Sequence, residues 1–274
     1  MNRQNLLSIA GDLVQPKVNP GLVLLSSREL DKMRRVGQLA ANLLNHLESM
    51  VQPGVSTQTL NDEATSWMQS HRAISATLGY APPGHPPFTG SICTSVNEVV
   101  CHGIPNPKQI LKDGDIINID VTPRLDGYHG DTSKTFLVGN VSATAWKLVE
   151  ATQESMMRGI AEIKPGARIG DIGAAIQAYA EAKGFSVVRD MVGHGIGRQM
   201  HTELQIPHYG QRGSGLKLRP GMAFTVEPML NEGTSILKFL ADRWTVITKD
   251  KKLSAQFEHT VAVTEEGVEI LTLP

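Results

Sequence analysis

The stretch VQPGVSTQTLNDEATSWMQSHRA, beginning at Val51, returns in altered form as IKPGARIGDIGAAIQAYAEAKGF, beginning at Ile163, 112 residues later. Pro-Gly aligns with Pro-Gly, and Leu60, Ala64 and Trp67 stand opposite Ile172, Ile176 and Tyr179. Further on, LKDGDIINID ending at Asp120 matches LRPGMAFTVE ending at Glu227, an offset of 107. A period this long, present in two copies, does not suit a solenoid, whose short repeats each cover their neighbour. It predicts a duplicated α/β (α+β) fold, each half a helix, turn, helix and strand, related by a pseudo-two-fold axis. The chemical consequence is that Asp120 and Glu227 become symmetry mates, so a site between the halves can draw one carboxylate from the equivalent strand of each.

Ser26 with Glu29 three positions on forms a capping box, and Leu30, Met33, Val36, Ala40, Leu43, Leu44 and Leu47 follow at helical spacing, so a helix of several turns starts there. Residues 1–25, with Pro16, Pro20 and Gly21, show no periodicity and read as an N-terminal extension, leaving 26–274 as a single domain. The apolar run in NLLSIAGDLV is too short for a secretory core and no stretch is long enough to span a bilayer. A net charge of −1 gives no broad footprint for nucleic acid or membrane. With two cysteines there is no disulfide framework, and the expected setting is the reducing cytoplasm. Cys93 and Cys101 lie eight residues apart in an apparent strand region, which would turn both to one face as buried thiols.

Four acids and a histidine stand in strand-like or glycine-framed contexts: Asp120 in GDIINIDV, Asp131 in HGDTSKTF, His194 in GHGIG, Glu227 in AFTVEP and Glu258 in SAQFEHT. Taken singly, each acid reads as a turn cap or a solvated residue. Together, three of them end or interrupt apolar runs where burial is expected, and buried carboxylates cost several kcal/mol unless neutralised. Two divalent cations would balance four carboxylates. The oxygen-rich set suits Mn, Fe, Co or Zn as a bridged pair, and no CxxC or HExxH points elsewhere. Asp131 and Glu258 are the expected bridges, with Asp120 on one ion and His194 and Glu227 on the other. Such pairs generate a nucleophile at neutral pH and polarise a carbonyl.

His102 in VVCHGIP and His201, seven residues past His194, could hydrogen-bond a substrate carbonyl, or be a core histidine or a further ligand. The other six histidines read as structural. GHGIG lacks the GxGxxG spacing of a nucleotide loop, and its glycines let backbone pass close to a metal site.

With these residues in hand, the chain resembles the type I methionine aminopeptidases from Arg28 to its end, through NEVVCHGIP, LKDGDIINIDVT, GYHGDTSKTF, GHGIGRQMH, TVEPM, WTVITKD and SAQFEHT in order. The resemblance implies the pita-bread fold, two pseudo-symmetric halves around a central antiparallel sheet. It also implies a dimetal centre at Asp120, Asp131, His194, Glu227 and Glu258. The implied activity is removal of the initiator methionine from nascent polypeptides, near the ribosome, when the second residue is small, by dimetal-hydroxide attack on the first peptide bond. His102 and His201 would contact substrate and assist catalysis, Glu227 would shuttle the proton, and Tyr80, Cys93 and Trp244 would line the methionine pocket. A cytoplasmic monomer binding neither nucleic acid nor membrane directly is expected.

Two stretches depart from the family pattern. APPGHPPFTGSI, between Tyr80 and Cys93, is longer and richer in proline than usual, with Phe88 as the second pocket aromatic and a stiff loop on the rim as its reading. Met200 stands where an aromatic commonly precedes the histidine, and HTEL replaces the usual continuation. Two rival readings stand beside this one: a proline-specific peptidase, which usually carries a large additional N-terminal domain, and a binding module that has lost metal ligands. All five ligand positions are filled here.

Overall fold

The protein is described by a computed structural model covering residues 22–274. Helix α1 (Ser27–Glu48) opens on the capping box, the Glu29 carboxylate accepting the Ser26 N–H at 2.9 Å, and buries Met33, Val36, Ala40, Leu43, Leu44 and Leu47 along one stripe. Helix α2 (Thr57–Ser70) packs on α1, and α3 (Ala143–Ala161) packs on α4 (Ile169–Ala182). Both pairs pack on one face of an antiparallel sheet of β1 (Cys93–Val96), β2 (Ile116–Val121), β3 (Thr132–Leu137), β4 (Ala223–Val226) and β5 (Glu258–Val263), in the order β4-β5-β3-β2-β1. Strand β6 (Val268–Ile270) also pairs with β5. Each half has its own core. The α1/α2 pair covers Ile117, Ile119, Val121 and Phe136, whereas α3/α4 covers Ile116, Phe224, Val226, Val261 and Val263. Full burial of one such aliphatic side chain stabilises the fold by about 1.5–3 kcal/mol.

The duplication holds hydrogen bond by hydrogen bond. Gly54 N–H donates to Leu111 C=O at 2.8 Å, and its counterpart Gly166 N–H donates to Leu218 C=O at 3.0 Å. Leu111 and Leu218 return bonds to Val55 and Ala167, both at 2.8 Å. The isolated bridges Ser56 to Ile110 and Arg168 to Lys217 obey the same two offsets. Gly54 and Gly166, in the turns between paired helices, take φ of 94° and 89°, a region L side chains avoid, which is why both copies keep Pro-Gly.

The halves differ where the second inserts a long excursion between Glu227 and Glu258. It forms strands Met229–Asn231, Leu237–Phe239, Val246–Thr248 and Ser254–Gln256. Val246 and Ile247 pair with Cys101 and Val99 of the first half, which carries Trp244 across to the β1 region. The expectation of one strand through both cysteines is corrected here. Cys93 is on β1 and Cys101 on a separate strand, Val99–Cys101, the chain reversing through Asn97 at φ 54°; both thiols are free and buried. Of the expected extension, residues 22–25 are described. Leu25 is buried with Met33, Val36 and Ile196, and its N–H donates to Gly221 C=O at 2.7 Å.

Candidate active site

The sheet register brings the acids together. Along β2 the period-two alternation sends Ile117, Ile119 and Val121 to the first core, which leaves Asp120 on the opposite face. In the ladder Asp120 stands across from Cys93 on one side and Ser133 on the other, and Ser133 faces Glu258 at the start of β5. Asp131 lies one residue before β3, and Glu227 one residue after β4. His194, in the short strand Gly193–His194, reaches the same place because Gly193 and Gly195 allow close approach. A Cβ on either would run into Thr225 C=O or the Thr202 hydroxyl.

These five residues line one cavity of about 300 Å³. Donor atoms of Asp131, His194 and Glu258 lie within 4.8 Å of one another, and His194 Nε2 is 3.6 Å from both Asp131 Oδ2 and Glu227 Oε1. Among the described residues no lysine or arginine pairs with the four acids, and Asp120 Oδ1 is shielded from solvent without any hydrogen-bond partner. Burial, reinforced by the neighbouring carboxylates, holds Asp120 and Glu258 well above the usual carboxylate range. Burial also pushes Asp131 up to about 7 and Glu227 to about 8, and drives His194 down to about 3, a neutral imidazole. Four oxygen donors with depleted charge balance, a neutral imidazole and an orphaned carboxylate oxygen fit divalent cations, and cation binding there displaces protons.

Supporting groups fix the donors. Thr122 Oγ1 donates to Asp131 Oδ1 at 2.9 Å, Thr225 Oγ1 donates to Glu227 Oε1 at 2.7 Å, and Gln256 Nε2 donates to Glu227 Oε2 at 3.4 Å. His208, read from sequence as structural, is fully enclosed, and its Nε2 accepts the Glu227 backbone N–H at 3.0 Å. No local signal in IPHYG marks this role, since it depends on a partner 19 residues away in sequence.

The same cavity is lined by His102, His201, Tyr80, Cys93 and Trp244, so every site residue expected from the sequence converges on it. His102 sits at φ 56°, a left-handed backbone that costs a non-glycine residue on the order of 1–3 kcal/mol. Enclosure by protein lowers its pKa to about 4. Its ring stands edge-on to Trp244 at 6.0 Å. His201 packs at 4.2 Å from the His194 ring; it opens to solvent through the cavity mouth, while surrounding protein still lowers its basicity. Phe88, Cys93 and Trp244 form a small apolar cluster with Tyr80 and Ile104 packed against it, which gives Phe88 its expected place. The proline-rich loop is tied to the rim, with Trp244 Nε1 donating to Pro86 C=O at 2.9 Å and Arg243 donating to Gly84 C=O. Met191, Met200 and Met229 also line it; only Met200 stood out in the sequence. A methionine at 191 or 229 carries no pattern that separates lining from core.

Residues 31–265 match the model of metallopeptidase family M24. Methionine aminopeptidase B of Synechocystis sp. is 89% identical over 273 residues, covering 100% of both chains. The methionine aminopeptidase of Escherichia coli K12 is 51% identical over 246 residues, 89% of this chain and 91% of that one. The crystal structure of methionine aminopeptidase from Rickettsia prowazekii superposes with a TM-score of 0.89 at 50% identity, covering 92% of this chain and 100% of that chain. The fold is the pita-bread fold that the sequence resemblance implied. A family model spanning most of the chain, over a cavity whose donors suit divalent cations, leads to one conclusion: the chain belongs to metallopeptidase family M24.

Proposed function

We propose that this metallopeptidase is a methionine aminopeptidase that removes the first residue of nascent polypeptides when the second residue is small. The observation that carries the reading is a single cavity in which five cation donors face an apolar pocket of Tyr80, Phe88, Cys93 and Trp244. Relatives with that name, 89% and 51% identical over 100% and 89% of this chain, support it.

Asp120, Asp131, His194, Glu227 and Glu258 would hold two divalent ions, of Co, Mn, Fe or Zn. Bound there, such a pair supplies Lewis acidity toward the scissile carbonyl and a nucleophile available at neutral pH. The chain's own groups do the rest. The pocket takes a thioether-sized side chain, its aromatic walls excluding water and contacting the sulfur. His102 and His201, neutral in this environment, present ring N–H groups that can donate to the peptide at the bond to be broken and stabilise charge developing on its oxygen. Glu227, beside the scissile bond, would be the proton shuttle, accepting a proton from the attacking water and passing it to the leaving amine. Residues 26–274 form the catalytic domain with 1–25 as an extension, acting as a cytoplasmic monomer near the ribosome without direct nucleic-acid or membrane contact. No described helix is long and apolar enough to cross a membrane.

Free amino acid released from Met-Ala-Ser, Met-Lys-Ser and Ala-Pro-Ser by protein stripped with chelator and refilled with Mn²⁺ or Co²⁺ tests this. Cleavage of the first peptide alone is expected. Cleavage of the proline peptide alone would replace the reading with a proline-specific peptidase, and no cleavage with metal bound would replace it with a binding module.

A further inference from the structure

The Tyr80 hydroxyl lies 2.9 Å from His201 Nδ1, with the two rings 5.3 Å apart and inclined by 44°. Among the described residues this hydroxyl has no other hydrogen-bond partner. The tyrosine is held independently of the histidine. Its N–H donates to Thr77 C=O at 3.0 Å, its C=O accepts the Phe88 N–H at 2.9 Å, and its ring packs 6.3 Å from Trp244. Two residues 121 positions apart therefore meet through one polar contact at the cavity wall.

We propose that Tyr80 is a positioning residue that fixes His201 as the tautomer carrying its proton on Nε2, so that the N–H faces the scissile carbonyl. The inference rests on the reading of His201 as a carbonyl-facing group. The chemistry is that of donor and acceptor strength. A neutral imidazole has one N–H and one bare nitrogen, and the bare nitrogen is a far better acceptor than a phenol oxygen, while the phenol is the better donor. O–H to Nδ1 is thus the favoured arrangement, and it leaves the single ring proton on Nε2. The opposite tautomer would aim a lone pair at an oxygen gaining negative charge, turning a stabilising contact into a repulsive one. No proton crosses the Tyr80 bond in the reaction; the hydroxyl only selects which nitrogen is protonated. The pocket wall and the electrophilic group are in this way one construction, in which the ring of Tyr80 contacts the substrate side chain and its hydroxyl orients the catalytic imidazole.

The test uses zinc-loaded protein labelled with ¹⁵N in its histidine rings, at about pH 8, with the His201 signals assigned by their loss in His201→Ala. A pyrrole-type Nε2 and a pyridine-type Nδ1 are expected in the wild type, and a mixture of tautomers in Tyr80→Phe, which keeps the ring and removes the hydroxyl. The same variant should lose about tenfold in kcat on Met-Ala-Ser with KM within about twofold, the order expected for one misdirected hydrogen bond in the transition state. A pyrrole-type Nδ1 in the wild type, or an unchanged tautomer in Tyr80→Phe, would overturn the proposal. A rise in KM with kcat unchanged would reduce Tyr80 to a pocket wall. Full turnover by His201→Ala would instead remove the assignment of His201 on which the proposal stands, an outcome the ring signals alone cannot produce.

Discussion

The hydroxyl of Thr225 donates to Glu227 Oε1 at 2.7 Å and accepts the His194 backbone N–H at 2.9 Å, so one side chain on β4 orients two of the five residues proposed to hold metal. Thr225 is fully buried. Thr225→Val keeps the shape and removes both bonds. Metal affinity is expected to fall by about 10–100-fold, as for other groups that orient metal ligands, with the fold intact. Titration of the metal-free variant with Mn²⁺ measures this, and an unchanged dissociation constant would show that Glu227 is held by packing alone.

Asp131→Asn removes one charge at the point where His194 and Glu258 donors converge. Turnover should drop by at least about 100-fold, the cost of losing one strong electrostatic contribution at an active site. Metal content by elemental analysis should fall with it, while circular dichroism stays that of the parent. Retention of turnover would remove Asp131 from the proposed centre.

The metal-free protein should become less stable as pH rises above neutrality. Asp131 and Glu227 have folded-state pKa values of about 7 and about 8, against roughly 4 in an unfolded chain. Between these limits the folded state binds more protons than the unfolded one, so the stability that protonation confers is present in full below about pH 4 and is lost as pH climbs through 8. The buried histidines His102, His194 and His208 work in the opposite sense, because their folded pKa values are lowered, but only below about pH 6.5, where the unfolded imidazole is protonated. Calorimetry of chelated protein should therefore show a melting temperature that declines from about pH 6.5 to 8.5. Saturating metal should raise it and flatten the slope. A flat profile without metal would mean that the acids are neutralised in some other way.

Gly54 and Gly166 give a test of the duplication itself. A Cβ at Gly54 meets nothing within 4 Å, and at Gly166 only the flexible Lys217 Cε at 3.4 Å, so alanine at either place is opposed by the left-handed backbone rather than by contacts. Each substitution should destabilise by about 1–2 kcal/mol, and by nearly the same amount. Denaturant unfolding of the two single variants compares them directly, and a large inequality would mean that the equivalent turns bear different loads.

Much of this architecture was legible in the chain. Pro-Gly at two positions 112 apart announced both helix turns, because a left-handed φ is a local requirement that only a few residues meet. Apolar runs ending in Asp120 and Glu227 announced strands with an acid at the end, because strand burial writes itself as short hydrophobic stretches. The second coordination of the site was not legible. Thr122, Thr225, His208 and Gln256 are ordinary polar residues in sequence, and what distinguishes them is a partner brought near by the fold. The separation of Cys93 and Cys101 onto two strands turned on Asn97 adopting φ 54°, which asparagine tolerates but does not dictate.

Sequence by itself determined the duplicated halves and singled out the five donor residues, because these are expressed in local pattern, charge and spacing, whereas the aromatic and histidine set around them followed from the family resemblance. Tertiary structure alone decided that β3 and β5 pair across the pseudo-axis, so that Asp131 and Glu258 meet. It also decided that the excursion after Glu227 crosses to the first half with Trp244, and that the Tyr80 hydroxyl reaches His201. These are contacts between segments far apart in the chain, set by how two separately packed cores close on one sheet, and no local propensity encodes them.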